Sequence, residues 1–231
     1  MKFNIAKQGG VAAQLVFEEK IEGGYLNHLK EKELFSGKAE EVYYTLDSNL
    51  KARLFIGLGK EEKIDLEVLR KTFFKAASEL LKNKVEEVEL NIPKLNNLCN
   101  YKMAEAIAEG MLHATYKYDK FKSDRKEQTE ITVNYNPEKG KEDRAEKGIN
   151  EAVKLMEAVF LTRDLVNQPA NVIYPETLAK IAKEKLEAKG VKVTVHGKKE
   201  IEALKMEAFL NVARASTKEP KLIVMEYYNN P

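Results

Sequence analysis

Ala52-Arg-Leu-Phe-Ile-Gly-Leu58 decides the fold. An apolar run this nearly unbroken suits a strand covered on both faces, as in the interior of a helix-backed sheet. Working outward, Gln14-Leu-Val-Phe-Glu18 and Glu41-Val-Tyr-Tyr-Thr-Leu46 are further short apolar segments. Gly23-Gly24 and Asp47-Ser-Asn49 supply turn chemistry between them, so the first sixty or so residues read mainly as strands. Beyond the central run, Asp65 has the character of an N-cap for a helix through about Lys82. Leu66, Leu69, Phe73, Ala76, Ala77 and Leu80 fall on one of its faces. Glu86-Glu-Val-Glu-Leu-Asn-Ile92 alternates as a strand that Pro93 ends. A helix follows over about Tyr101 to Tyr118, with Met103, Ile107, Met111 and Ala114 on its buried stripe. Thr129-Glu-Ile-Thr-Val-Asn-Tyr135 is a strand closed by Asn136-Pro137. Strand and helix alternate, which predicts α/β layers with helices covering a mostly parallel or mixed sheet.

Glu138 to Lys147 is almost entirely charged and has nothing to bury. A domain boundary is expected there, with an N-terminal α/β domain over 1–140 and the start of a second α/β domain over 141–231. The second part opens with a helix from about Glu142 to Val166, whose face is Ile149, Ala152, Val153, Met156 and Phe160. Asn167 and Asn171 then flank Pro169-Ala170, and Pro175 follows. Pro169 and Pro175 push Gln168 and Tyr174 out of the helical region, and asparagine amides cap helix ends or close turns. The segment predicts a joint into a second helix over Glu176 to Lys189, with Leu178, Ile181, Ala182 and Leu186 inward and Gly190 as its stop. Val191-Lys-Val-Thr-Val195 is a strand, Lys199 to Leu204 a short helix, and Lys221-Leu-Ile-Val-Met-Glu-Tyr227 an apolar strand followed at once by turn residues. Roughly ninety residues are fewer than an α/β enzyme domain usually needs, so this second domain reads as incomplete.

Composition narrows the partners. Lys and Arg total 39 against 37 Asp and Glu, a net charge of +2 with the signs interspersed. No basic footprint for nucleic acid results. No apolar run approaches the roughly 18 residues that would cross a bilayer, and Met1 to Lys7 has no signal-peptide core. The single cysteine, Cys99, allows no intrachain disulfide and suits a reducing compartment. A cytoplasmic location is the expectation.

Catalysis needs groups that converge. His28, His113 and His196 lie far apart. His113 and Glu109 share a helix at i−4 and could form a ligand pair, although a helical His beside a Glu is more often a surface or packed residue. His196 precedes Gly197 and suits a turn. Cys99 follows apolar Leu98 with no basic cluster near it, which predicts a buried, inert thiol. Ser216 in Ala213-Arg-Ala-Ser-Thr217 is no nucleophile elbow. Gly57-Leu-Gly59-Lys60 could cradle a phosphate after its strand but falls far short of a phosphate-loop pattern, and a plain turn is expected.

Arg163-Asp-Leu-Val-Asn167-x-Pro169-Ala-Asn171-Val-x-x-Pro175-Glu-x-Leu178-Ala resembles the leucyl (cytosol) aminopeptidases. The resemblance continues through Gly190 to Val195, Met206-x-Ala208-Phe-Leu, Ser216 and Pro220 to Tyr227. It extends upstream, more loosely, to Phe55-Ile-Gly-Leu-Gly59 and the Glu105 to Lys122 region. It implies a macro-domain-like N-terminal domain with a mixed sheet and a larger α/β catalytic domain. It also implies hexamer assembly and release of leucine-like N-terminal residues from peptides. Two divalent metals, manganese or zinc, would activate a bridging water and polarise the scissile carbonyl. The family's Phe-Asp-Ser-Gly-Gly and Asn-Thr-Asp-Ala-Glu-Gly-Arg runs are absent from these 231 residues. Ala213, Ala215 and Glu207 stand where glycines are common in the family. No catalytic, cofactor-binding or metal residue is therefore assigned, and this chain alone is expected to bind no metal and to be inactive. The alternative is a non-catalytic module, binding a nucleotide-like ligand or making subunit contacts.

Overall fold

The computed structural model describes every residue except 22, 48, 96–97 and 229–231. Two compact units are present, Met1–Phe160 and Leu161–Pro231. The first contains strands β1 (Lys2–Ile5), β2 (Val11–Phe17), β3 (Val42–Leu46), β4 (Ala52–Gly59), β5 (Glu87–Asn91) and β6 (Thr132–Asn136). Its helices are α1 (Gly24–Glu31), α2 (Leu66–Lys82) and α3 (Asn100–Ala114), and α4 (Glu142–Asn167) leads out of it. The strands form one sheet in the order β1-β6-β5-β2-β4-β3. All neighbours are parallel except the antiparallel β3–β4 pair. The expected mixed α/β sheet is present.

Asp65 caps α2 as its position predicts, its carboxylate accepting the Val68 N–H at 2.7 Å. Leu69, Phe73, Ala76, Ala77 and Leu80 are buried on one face of that helix. With α3 and the first half of α4, α2 covers Leu54, Ile56, Leu58, Val88, Leu90, Val133 and Tyr135 in the main core. The helices cross closely: a Cβ built at Gly110 of α3 would lie 3.0 Å from the Arg70 carbonyl carbon of α2 and closer still to its oxygen. Gly148 of α4 meets the backbone of Tyr101 and Glu105 in the same way.

On the opposite face a second cluster joins Val16 and Phe55 to Leu26, Leu29 and Phe35. This places α1 over one half of the sheet. The other half of that face is polar and is crossed by the β1–β2 connection. There the Gly9 N–H donates to Glu89 Oε2 at 2.9 Å, and Asn134 Nδ2 donates to the Gly9 carbonyl at 3.2 Å and to Glu87 at 2.8 Å. Asn134 is buried with its amide fully engaged, as a buried amide must be.

Several expectations are corrected. Gly23-Gly24 opens a helix instead of turning between strands, with Gly23 at φ +99° ahead of α1. Two inward leucines three residues apart are too few to signal a helix. Gly57 and Gly59 belong to β4 rather than to a turn, and Lys60 leads into a 3-10 turn at Glu61–Lys63. The helix expected to Tyr118 stops at Ala114, where Thr115 Oγ1 donates to the Leu112 carbonyl at 2.7 Å. The Asp47 turn forms, its carboxylate accepting the Asn49 and Lys51 N–H groups, while Ser48 lies outside the described residues.

The second unit carries α5 (Pro175–Glu187), β7 (Lys192–His196), α6 (Lys198–Ala203), α7 (Glu207–Ala213) and β8 (Leu222–Glu226). Strands β7 and β8 pair antiparallel, with Thr194 opposite Val224. The joint before α5 is organised by Thr177. Its Oγ1 accepts the Tyr174 N–H at 2.9 Å and lies 3.0 Å from the Val172 carbonyl. The Val172 and Ile173 N–H groups both donate to the Pro169 carbonyl. Leu178, expected inward, is exposed, and Ala179 is the buried residue of α5. Gly190, at φ +81°, follows the helix as expected. The division into compact units falls inside α4, after Phe160. Ala145, Ile149 and Ala152 of α4 belong to the first unit's core.

Candidate functional site

In the first unit, α2, α3 and α4 enclose an apolar cleft of about 580 Å³. Phe74, Gly110, His113, Leu155 and Met156 line it, and Arg70 and Glu109 lie together in its wall. Glu109 is buried, and its carboxylate takes a hydrogen bond from Arg70 Nε. That bond, with the attraction of the same carboxylate, raises the Arg70 pKa against the opposing effect of burial. A buried charge persists when paired in this way. The His113 ring meets Phe74 edge to face at 6.0 Å. Of the i−4 pair, Glu109 is thus engaged by Arg70 and His113 packs against Phe74. Sequence inspection misses Arg70 altogether: it stands 39 residues away on another helix, and no spacing rule connects them. Beside its apolar side chains and the Arg70–Glu109 ion pair, the cleft is lined by Glu40, Glu67, Lys71 and Lys75, a mixed wall that suits packing or contact.

The remaining candidates lie on separate elements. His28 is on α1, His113 on α3 and His196 at the end of β7. Ser216 follows α7, and its Oγ accepts the Lys218 N–H at 3.0 Å, which is turn chemistry. Cys99 corrects the expectation of a buried, inert thiol: it is exposed, at the residue preceding α3. The backbone N–H groups of Lys102 and Tyr101 lower its pKa, with smaller help from the Arg144 and Lys102 charges. The free N–H groups of a helix start stabilise a thiolate, a signal that the position before Asn100 carries only once the helix start is known.

Among the described residues no three His, Cys, Asp or Glu side chains converge to hold a metal ion. The residues present do not fit the two-metal centre that the sequence resemblance implies. Among the described residues no helix is long and apolar enough to cross a membrane.

Fold and side chains together define a two-unit α/β protein with a helix-backed mixed sheet and no preassembled cluster of metal ligands among its described residues. Comparison with known proteins places it further. The N-terminal domain pattern of the cytosol aminopeptidase family matches residues 5–125, and the catalytic domain pattern of the same family matches residues 160–231. The chain belongs to the cytosol aminopeptidase family. It is 98% identical to a probable cytosol aminopeptidase of Treponema denticola over 231 residues, all of this chain and 48% of that protein. It is 40% identical over 235 residues to the corresponding protein of Clostridium tetani, again all of this chain and 49% of the relative. The chain thus spans about half the length of the curated relatives it matches. Among solved structures, a mutant of tomato leucine aminopeptidase superposes with a TM-score of 0.82 at 21% identity, covering 97% of this chain and 50% of that one. The bottromycin maturation enzyme BotP in complex with Mn gives 0.78 at 21% identity over 95% and 45% of the two chains. At such identities these two show the fold.

Proposed function

We propose that this chain forms the amino-terminal portion of a cytoplasmic aminopeptidase that releases leucine-like N-terminal residues from peptides. Two divalent metals, manganese or zinc, would serve the complete enzyme, and the assembly would be a homo-oligomer of the family's hexameric kind. By itself the chain is inactive. The observation that carries this last point is the lack of any metal-holding cluster among the described residues. Support for the rest comes from the two adjoining family matches, which run in the family's domain order, and from the Mn carried by one solved structure of the same fold. The domain division follows the same reading, with an N-terminal domain to about residue 140 and the beginning of a catalytic domain after it.

The test is hydrolysis of a leucyl chromogenic substrate by the purified chain with added Mn²⁺ or Zn²⁺. No turnover is expected, and metal-dependent turnover would overturn the assignment of inactivity. The second reading, subunit contact by the first unit, is favoured by Phe74 and Leu155. Both are over 40% exposed in that cleft, and exposed apolar surface of this kind suits protein contact.

A further inference from the structure

Open α/β sheets take ligands beyond the carboxyl ends of their strands, and Gly57-Leu-Gly59-Lys60 stands at such an end. We infer that this place is occupied by the chain itself: residues 36–41 form a strap over the carboxyl ends of β2 and β4 and close it to phosphate-bearing ligands.

Three glycines mark the fit. A Cβ at Gly57 would lie 2.8 Å from the Gly37 carbonyl carbon and closer still to the Lys38 carbonyl oxygen. One at Gly59 would lie 3.1 Å from the Ala39 nitrogen, and one at Gly37 would lie 3.2 Å from the backbone of Glu18, just past β2. The strap therefore touches both strand ends, backbone against backbone, which leaves no room for an anion between them. Two of the N–H groups that a phosphate there would need are already used. Gly57 N–H donates to the Glu41 carbonyl at 2.8 Å, and Gly59 N–H donates to the Gly37 carbonyl at 2.9 Å.

Two independent staples hold the strap. One Glu41 carboxylate oxygen accepts the Ser36 N–H at 2.7 Å, the Ser36 hydroxyl at 3.0 Å and the Lys38 N–H at 3.1 Å. Behind the strap, Thr72 of α2 is fully buried, and its hydroxyl accepts the Glu40 N–H at 3.1 Å. Glu40 holds a left-handed φ of +66° at this point, and its carboxylate pairs with Lys75 at 3.1 Å. The glycines of the β4 end thus serve close approach of the chain to itself.

Nuclear magnetic resonance of the whole chain tests this. Amide hydrogens of Ser36, Lys38, Glu40, Gly57 and Gly59 are expected to exchange slowly. Millimolar pyrophosphate is expected to leave the Gly57 and Gly59 resonances in place. Glu41→Gln should accelerate exchange at Ser36 and Lys38 by about tenfold, since hydrogen bonds to a charged acceptor are the stronger ones. Thr72→Val should act on Glu40 alone. A saturable shift of Gly57 or Gly59 with pyrophosphate would overturn the inference. Exchange at Ser36 and Lys38 as fast as in the exposed loop 120–127, or unchanged by Glu41→Gln, would overturn it equally.

Discussion

Replacing Gly110 by alanine tests the helix crossing on which the first unit's core depends. The new methyl group would stand 3.0 Å from the Arg70 carbonyl carbon and 3.1 Å from its Cα, inside ordinary contact distance, and nearer still to the carbonyl oxygen. The obstacle is α2 backbone, which cannot swing aside as a side-chain tip can. Relief requires α2 and α3 to part by about 1 Å, which loosens a core packed to crystal-like density. Overpacking of this kind costs about 1–3 kcal/mol, and a backbone obstacle puts it at or above the upper end. Alanine in a helix interior returns about 1 kcal/mol through its higher propensity. The net expectation is a loss of about 2 kcal/mol. Gly24→Ala is the control: Gly24 opens α1 with nothing within 4 Å of its Cβ position, and a surface change there stays within about 0.5 kcal/mol. Urea unfolding followed by far-UV circular dichroism is the assay, because the chain has no tryptophan. The midpoint should fall for Gly110→Ala at an unchanged slope. Equal midpoints for Gly110→Ala and wild type would refute the close crossing.

Tyr135 is buried without a hydroxyl partner among the described residues, so Tyr135→Phe is expected to leave stability unchanged or raise it by about 1 kcal/mol; a clear loss in urea unfolding would show a partner for that hydroxyl. Burial also raises the Tyr135 pKa. The folded state therefore keeps a proton that the unfolded chain releases near pH 10. Stability from this group is complete below that pH and falls above it, and Tyr135→Phe should flatten the alkaline side of the midpoint–pH curve. For Cys99, the N–H groups at the start of α3 hold the thiol below its ordinary pKa, so iodoacetamide should alkylate the native chain faster at neutral pH than the urea-unfolded chain. A slower native reaction would place the thiol out of reach.

Much of the fold was legible because some signals are local. Asp65 announces α2 through a bond to a residue three positions on, and the apolar run of β4 reports its own burial on both faces. Pro169 and Pro175 restrict their neighbours whatever surrounds them, so the joint between α4 and α5 could be read, although the bonds of Thr177 in the turn before α5 could not. What failed was non-local. Helix α1 has only Leu26 and Leu29 to bury, and their partners Val16, Phe35 and Phe55 come from three other segments. The exposure of Cys99 depends on where α3 begins. Arg70 becomes visible as a partner of Glu109 only when α2 and α3 are side by side.

The sequence by itself determined the class of fold, the order of most of its elements and the family, because capping, alternation and proline restriction act within a few residues. The long run from Arg163 to Ala179 carries the family resemblance. Only the tertiary structure decided the roles of the glycines. Gly57 and Gly59 read as a turn, and Gly110 and Gly148 give no signal inside their helices, yet each is needed because another part of the chain passes within contact of the position its Cβ would take. Which part that is depends on crossings between segments tens of residues apart, and a string of residues does not record the distance between them.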